Sequence, residues 1–95
     1  MNRVRFTWDP AKNAANPRRH VIAVQDAARI FNGPTVERSA NRYDYDEVRI
    51  YAIGLVNCIE ITVIYTDRDL DERHIISAWR SEPHGRRYFW NHLED

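Results

Sequence analysis

The chain has 95 residues and a mass of 11.3 kDa, which suits one domain spanning 1–95 with a single modest core. Basic and acidic residues balance at 14 each, which argues against a protein that coats nucleic acid or an anionic membrane by charge alone. The one cysteine, Cys58, excludes a disulfide framework and a cysteine-based zinc site. The N-terminus has no signal-peptide pattern, and no stretch is apolar enough to span a membrane. The sequence therefore predicts a cytoplasmic protein.

The zero net charge conceals a segregation of charge along the chain. Residues 1–20 hold five basic residues and one acidic residue, and residues 73–93 hold four and one. Residues 60–72 reverse this balance, with five acidic residues and one basic residue. Thirteen of the 14 basic residues are arginine, the side chain that binds phosphate in a bidentate manner.

The first third of the chain is predicted to form an edge strand and two helices. Apolar and polar residues alternate over residues 3–8, as in a half-buried strand. Asp9 and Pro10 then provide an N-cap and a first helical residue for a helix at about 10–16. A second helix is predicted at 24–31, where Gly and Pro follow its last turn.

The remainder is predicted to form antiparallel strands followed by a C-terminal helix. Residues 58–66 give the clearest strand, and Cys58 is placed in it. The sequence DRDLDE at 67–72 is predicted as a charged hairpin loop, and Ser81 as the cap of the last helix. The other predicted elements are strands at 35–38, 48–54 and 73–79, a loop at 39–46, a turn at 56–57 and a helix at 82–93. The fold class is α+β, with helices packed against an antiparallel sheet.

One face of the predicted sheet is a candidate RNA surface. Strict alternation puts Arg49 and Tyr51 on one face of their strand, and Arg73, Ser77 and Trp79 on one face of the last strand. If the helices cover one face only, the other face carries these five side chains. Guanidinium, hydroxyl and aromatic groups suit RNA, because arginine binds phosphate and aromatic rings stack on bases. The same residues are common on a solvated sheet face, so the pattern leaves both interpretations open.

The histidines offer acid–base chemistry without the spacing of a metal site. His20 follows Arg19, and cations beside an imidazole favour the neutral form that a general base needs. The alternative is a histidine at a helix terminus that hydrogen-bonds a carbonyl group. His74, His84 and His92 lack the i,i+4 spacing of a zinc site, so neither a metal nor another cofactor is predicted.

Several stretches form a specific combination when they are taken together. The chain opens with WDPAKN at 8–13 and RH at 19–20, and DAARIF follows at 26–31. RHIISA occupies 73–78. Between them stand Asn16, Glu47, Arg49, AIG at 52–54, Val63 and YT at 65–66. From about residue 6 to residue 89, this combination resembles the BrnT toxins.

The resemblance implies a RelE-like ribonuclease toxin of a type II toxin–antitoxin system, with two N-terminal helices and one C-terminal helix around a small antiparallel sheet. Such a toxin cleaves RNA and inhibits translation. Its expected partner is a BrnA-like antitoxin with a ribbon-helix-helix domain, in a two-plus-two complex that binds operator DNA through the antitoxin. The implied chemistry needs no metal, because the 2′-hydroxyl of RNA is the nucleophile.

The matching positions supply the expected site residues. Lys12 and His20 are expected to handle protons or contact phosphate, and Arg49 and Arg73 to clamp the phosphate. Tyr51 and Trp79 are expected to stack on bases. Ser77 and Arg80 complete the expected RNA-binding set, although Arg80 points away from Trp79 if the strand is regular.

Four positions depart from the BrnT pattern. Trp79 stands where the family has arginine, Gly85 where it has glutamate, Val21 where it has glycine and Phe89 where it has tyrosine. Loss of one preorganised charge donor costs about 10²–10³ in rate. One alternative is therefore a weakened toxin homologue that acts mainly as an antitoxin-binding co-repressor. Without the resemblance, the alternative is a small α+β interaction module.

Overall fold

A computed structural model describes residues 4–10, 22–39 and 47–93. The strands are β1 (Arg5–Trp8), β2 (Val36–Ser39), β3 (Ile50–Val56), β4 (Ile59–Asp69) and β5 (Glu72–Arg80). The α-helices are α1 (Val24–Ala27), which continues into a 3-10 segment (Ala28–Asn32), and α2 (Pro83–His92). The strands form one five-stranded sheet in the order β1-β5-β4-β3-β2. The architecture is α+β, as predicted.

The sheet is mixed, so the prediction of an antiparallel sheet is wrong at one edge. Neighbours from β2 to β5 are antiparallel, but β1 is parallel to β5. Phe6 lies opposite Arg73, and Trp8 lies opposite Ile75. A parallel neighbour requires a crossover connection, and here the intervening chain includes α1 and three strands. Alternation within residues 3–8 identifies the strand but carries no information about its direction relative to β5.

The described residues contain two α-helices where three were predicted. The helix predicted at 10–16 falls outside the described residues after Pro10. The helix predicted at 24–31 is split between α1 and the 3-10 segment. Ser81 does not cap α2: Glu82 holds the N-cap position, and the buried Ser81 hydroxyl lies 2.6 Å from the Thr62 hydroxyl.

Helices pack on both faces of the sheet, which corrects the expectation that they cover one face. α1 and the 3-10 segment pack on the α1 face, where Ala52, Ile61, Val63, Tyr65 and Ile75 form the main core with Ile30. α2 packs on the opposite face, which we call the α2 face; it carries Tyr51, Ile53, Thr62, Ile64, Ser77 and Trp79. A Cβ added at Gly85 of α2 would lie 3.8 Å from the side chains of both Ile53 and Thr62. The near-continuous apolar run IYAIGLV in β3 is typical of a strand covered on both faces.

A β-bulge in β5 reverses the faces of the residues that precede it. Ser77 lies opposite Ile64, but Ile75 lies opposite Tyr65, so Ile76 is an extra residue. Ile75 and Ser77 therefore point to opposite faces, although they are two positions apart. The prediction that Arg73 shares a face with Ser77 and Trp79 is wrong, because it assumed unbroken alternation.

Two tight turns connect the central strands, where a turn at 56–57 and a loop at 67–72 were predicted. Asn57 and Cys58 form the turn between β3 and β4, with φ angles of 52° and 67°. Two consecutive positive φ values characterise the type I′ hairpin, whose twist matches the flanking strands. Cys58 is thus exposed at a turn, not placed in a core strand as predicted. The predicted loop at 67–72 is mostly strand, because β4 extends to Asp69 and β5 begins at Glu72.

Two glycines give opposite expectations for substitution by alanine. A Cβ at Gly54 in β3 would lie 2.8 Å from Ile30 Cβ, whereas a Cβ at Gly85 would meet Ser81 Cβ at 3.5 Å, an ordinary contact. We expect Gly54→Ala to lower the free energy of unfolding by about 1–3 kcal/mol through overpacking. Gly85→Ala should raise it by about 0.5–1 kcal/mol, because alanine favours the helix. Urea denaturation followed by circular dichroism measures both; an unchanged midpoint for Gly54→Ala would contradict the close packing of β3 on Ile30.

Candidate functional site

Four side chains on the α2 face form an aromatic cluster, which we define as Arg38, Tyr51, Trp79 and Tyr88. Tyr51 and Trp79 meet edge to face, with ring centroids 6.3 Å apart. The guanidinium of Arg38 lies 5.5 Å from the ring centre of Tyr51 and 4.8 Å from that of Tyr88. The three rings are partly exposed, and Arg38 is exposed. The cluster thus joins β2, β3, β5 and α2 in one accessible surface.

The aromatic cluster is suited to a single-stranded nucleic acid. Accessible aromatic rings stack on bases of any sequence, and arginine binds phosphate or stacks on the same rings. Tyr51 and Trp79 were predicted from the sequence to lie on one face, whereas Arg38 and Tyr88 were not. Arg38 could be placed on this face only from its position opposite Tyr51, which requires knowledge of the β2–β3 pairing.

Arg49 lies next to the aromatic cluster, one residue before β3. Alternation from Ile50, which packs against the main core, directs Arg49 toward the α2 face. Its Nη2 lies 3.5 Å from Glu47 Oε2, and a quarter of its side chain is exposed. The hydroxyl of Thr66 donates to the carbonyl of Val48 at 2.7 Å, which ties this segment to β4. A phosphate group on this face would compete with Glu47 for the Arg49 guanidinium.

His74 occupies the α2 face at the opposite edge of the sheet, beside β1. The hydroxyl of Thr7 donates to Glu72 Oε2 at 2.8 Å, and its oxygen lies 2.8 Å from His74 Nδ1. Since the hydroxyl hydrogen is directed at the carboxylate, the hydroxyl oxygen accepts a hydrogen bond from Nδ1–H. Burial and the charge of Arg68 lower the pKa of His74, although nearby carboxylates oppose them. The spacing of the histidines in the sequence bears on metal binding alone and does not indicate these hydrogen bonds.

Arg73 lies on the α1 face, where it binds Asp67 and packs on aromatic rings at the edge of the core. Its Nε and Nη2 donate to the two carboxylate oxygens of Asp67 at 2.8 and 3.0 Å. Its guanidinium also lies 4.1 Å from the ring centre of Tyr65 and 4.9 Å from that of Phe31. The hydrogen bond with Asp67 raises the pKa of Arg73 above its ordinary value. The thickness of the sheet separates this guanidinium from Tyr51, Ser77 and Trp79.

The other predicted site residues fall in three places. Ser77 is partly exposed on the α2 face, as predicted. Arg80 lies opposite Ile61 and therefore on the α1 face, where it lines a cavity of about 260 Å³ with Asp26 and Arg29. Lys12 and His20 lie outside the described residues, so their roles stay predictions.

No group of three or more His, Cys, Asp or Glu side chains within residues 4–10, 22–39 and 47–93 is arranged to hold a metal ion. In the same part of the chain, no helix has the length and apolar character needed to cross a membrane.

The fold and the aromatic cluster together define a small α+β protein with a surface suited to single-stranded nucleic acid. Residues 8–84 match the family described as the ribonuclease toxin BrnT of type II toxin–antitoxin systems. Because the match covers most of the chain, the protein belongs to this family, and the resemblance noted in the sequence is confirmed. A type II toxin implies an antitoxin partner. No curated relative matches the sequence closely enough to refine this assignment.

The position of Arg73 gives an expectation for stability. Lysine retains the charge but cannot make the bidentate contact with Asp67 or stack on Tyr65 and Phe31 in the same way. We expect Arg73→Lys to lower the free energy of unfolding by about 1 kcal/mol, the size of a well-oriented ion pair with a cation–π contact. Arg87→Lys, at an exposed position of α2, is the matched control and should leave it unchanged. Equal denaturation midpoints for the two variants would contradict a structural role for Arg73.

Proposed function

We propose that the protein is a RelE-like endoribonuclease that binds single-stranded RNA on the α2 face and inhibits translation in the cytoplasm. The observation that carries this proposal is the contact of the Arg38 guanidinium with the rings of Tyr51 and Tyr88, with Trp79 edge-on to Tyr51. Stacking of a base on one aromatic ring contributes about 1–3 kcal/mol to binding. Membership of the BrnT family supports RNA as the substrate.

The proposed chemistry uses the 2′-hydroxyl of the RNA as nucleophile. The protein then needs to hold the scissile phosphate in line and to stabilise its developing charge. Arg49 serves this purpose on the α2 face, and Ser77 offers a hydroxyl on the same face. Lys12 and His20 keep the role that the resemblance implies for them, which is proton handling or phosphate contact. Arg73 and Arg80 lie on the α1 face, so we propose no RNA contact for them.

The proposed partner is a BrnA-like antitoxin with a ribbon-helix-helix domain, in a two-plus-two complex that binds operator DNA through the antitoxin. Support comes from the family and from the apolar surface of α2. Phe89 is fully buried, but Trp90 is 53% exposed while its indole N–H donates to Glu60 at 2.8 Å. This hydrogen bond lowers the pKa of Glu60. An exposed tryptophan that is held in one orientation is typical of a protein interface.

A second candidate function is that of a weakened toxin that serves mainly as an antitoxin-binding co-repressor. The observation that favours it is Trp79, which stands where the BrnT pattern has arginine. Its ring packs against Tyr51, so the α2 face has a stacking group where the pattern has a charge donor. Arg80 does not replace that donor, because it lies on the other face.

The test is cleavage of single-stranded RNA by the purified protein in EDTA, with DNA of the same sequence as the control. We expect the RNA to be cleaved and the DNA to remain intact, because DNA lacks the nucleophile. Arg38→Gln should weaken RNA binding and reduce the slope of log K against log salt by about 0.7, the value for one phosphate contact to a single strand. Arg87→Gln is the matched control and should leave the slope unchanged.

The same assay separates the two candidate functions. The active-toxin proposal expects cleavage by the wild type, and Trp79→Arg should then change the rate less than tenfold. The co-repressor proposal expects little cleavage by the wild type and a gain of about 10²-fold or more in Trp79→Arg. Both proposals place RNA on the α2 face. Equal binding of RNA by the wild type and by a Tyr51→Leu variant would contradict that placement.

A further inference from the structure

The hydrogen bonds around His74 set this residue apart from the other histidines of the described chain. We propose that His74 is the general base of RNA cleavage and that Thr7 and Glu72 are the residues that position it. This inference rests on the proposed function and names the group that accepts the proton of the attacking hydroxyl.

The imidazole ring of His74 has a fixed orientation. Glu72 accepts the hydrogen of the Thr7 hydroxyl, and the Thr7 oxygen accepts Nδ1–H of His74. This chain of hydrogen bonds selects the tautomer in which Nε2 carries the lone pair. Carboxylate, hydroxyl and imidazole come from two strands in parallel register, with Thr7 directly opposite His74. The ring is therefore held between β1 and β5 with its basic nitrogen directed away from Thr7.

His74 also lies in the same row of the sheet as Arg49. Thr66 lies opposite His74, and its hydroxyl binds the carbonyl of Val48 on the other side. Since Ile50 lies opposite Tyr65, Arg49 is the next residue in the row that contains Thr66 and His74. Adjacent strands are about 4.8 Å apart, so the backbones of Arg49 and His74 are separated by about 10 Å. Long side chains from both ends of this row can contact one phosphodiester group.

The charges around the imidazole ring act in opposite directions on its protonation. Arg68 on β4 disfavours the protonated imidazole, whereas Glu72 on β5, Glu47 before β3 and Asp9 after β1 favour it. Burial is the largest influence, and the net result is a lowered pKa for His74. Neutral imidazole therefore predominates at neutral pH, which is the form that accepts a proton.

The RNA supplies both the nucleophile and the leaving group of the proposed step. Nε2 of His74 takes the proton from the 2′-hydroxyl while O2′ forms a bond to phosphorus and the bond from phosphorus to O5′ breaks. The products are a 2′,3′-cyclic phosphate end and a 5′-hydroxyl end, whose oxygen takes a proton from solvent. His74 then returns its proton to solvent, so no oxidant, reductant or metal takes part.

The experiment measures kcat/KM against pH for a single-stranded RNA oligonucleotide that the wild type cleaves. We expect the wild-type profile to fall in acid with a midpoint below the ordinary imidazole value of 6.5. His74→Gln should lose about 10²-fold or more in kcat/KM and should lack this acid limb, the usual effect of removing a general base. His84→Gln, at an exposed position of α2, is the matched control and should retain both the rate and the profile.

The positioning residues are tested through the conservative pair at Thr7. Thr7→Val removes the acceptor of Nδ1–H and should lower kcat and shift the acid limb, whereas Thr7→Ser should retain the wild-type profile. Circular dichroism checks that each variant is folded, and imidazole ¹⁵N shifts of the wild type should report the Nδ1–H tautomer of His74 without any assay of activity. The opposite tautomer would contradict the proposed orientation.

Two results separate failure of this inference from failure of the proposed function. If the wild type cleaves RNA and His74→Gln retains both its rate and its acid limb, His74 is not the base, and the proposed function stands. If the wild type and Trp79→Arg both bind RNA without cleaving it, the proposed function and the inference both fail.

Discussion

The extra residue in β5 is the constraint on which the site depends. The bulge at Ile76 brings Ile75 onto the α1 face, where it is almost fully buried opposite Trp8 and Tyr65. With regular alternation from Ser77, Ile75 would leave the core and Arg73 would lie on the α2 face. The bulge thus exchanges Arg73 for His74 on the face that carries the aromatic cluster. Bulges that redirect side chains are common next to active sites.

As a result, the two faces of the sheet differ in their role. On the α1 face, burial of aliphatic and aromatic side chains provides the main stabilisation, and Arg73 closes the edge of that core over Tyr65 and Phe31. On the α2 face, α2 covers the end of the sheet near Ile53 and Thr62. The aromatic cluster, Ser77 and His74 remain partly accessible on the rest of this face. One small sheet therefore has its main core on one face and accessible aromatic side chains on the other.

The sequence predicted those features that depend on local periodicity. The strand at 58–66 was recognisable from Ile61, Val63 and Tyr65, all of which are buried, and the first strand was recognisable from its alternation. The family was recognisable because its motifs are spread over most of the chain. The prediction that Tyr51, Ser77 and Trp79 share a face is confirmed, because β3 is regular and the bulge in β5 precedes Ser77.

The features that were missed depend on contacts between distant segments. Ile75 and Ile76 are chemically alike, so their sequence does not show which of them is the extra residue in β5. The parallel pairing of β1 with β5 brings Thr7 to His74 across 67 positions of sequence, and no local pattern encodes it. The acidic residues at 67–72 were assigned to a loop by their charge, although Asp67 binds Arg73 within a strand ladder.

The central claim, that the bulge assigns RNA to the α2 face, is tested most directly by photo-crosslinking. A 2′-O-methyl RNA containing 4-thiouridine lacks the nucleophile and therefore binds without being cleaved. After irradiation with the wild-type protein, mass spectrometry identifies the crosslinked residues. We expect crosslinks at Tyr51, Trp79 or Tyr88. Crosslinks at Phe6 or Phe31, which stack on each other beside Arg73 on the α1 face, would contradict it.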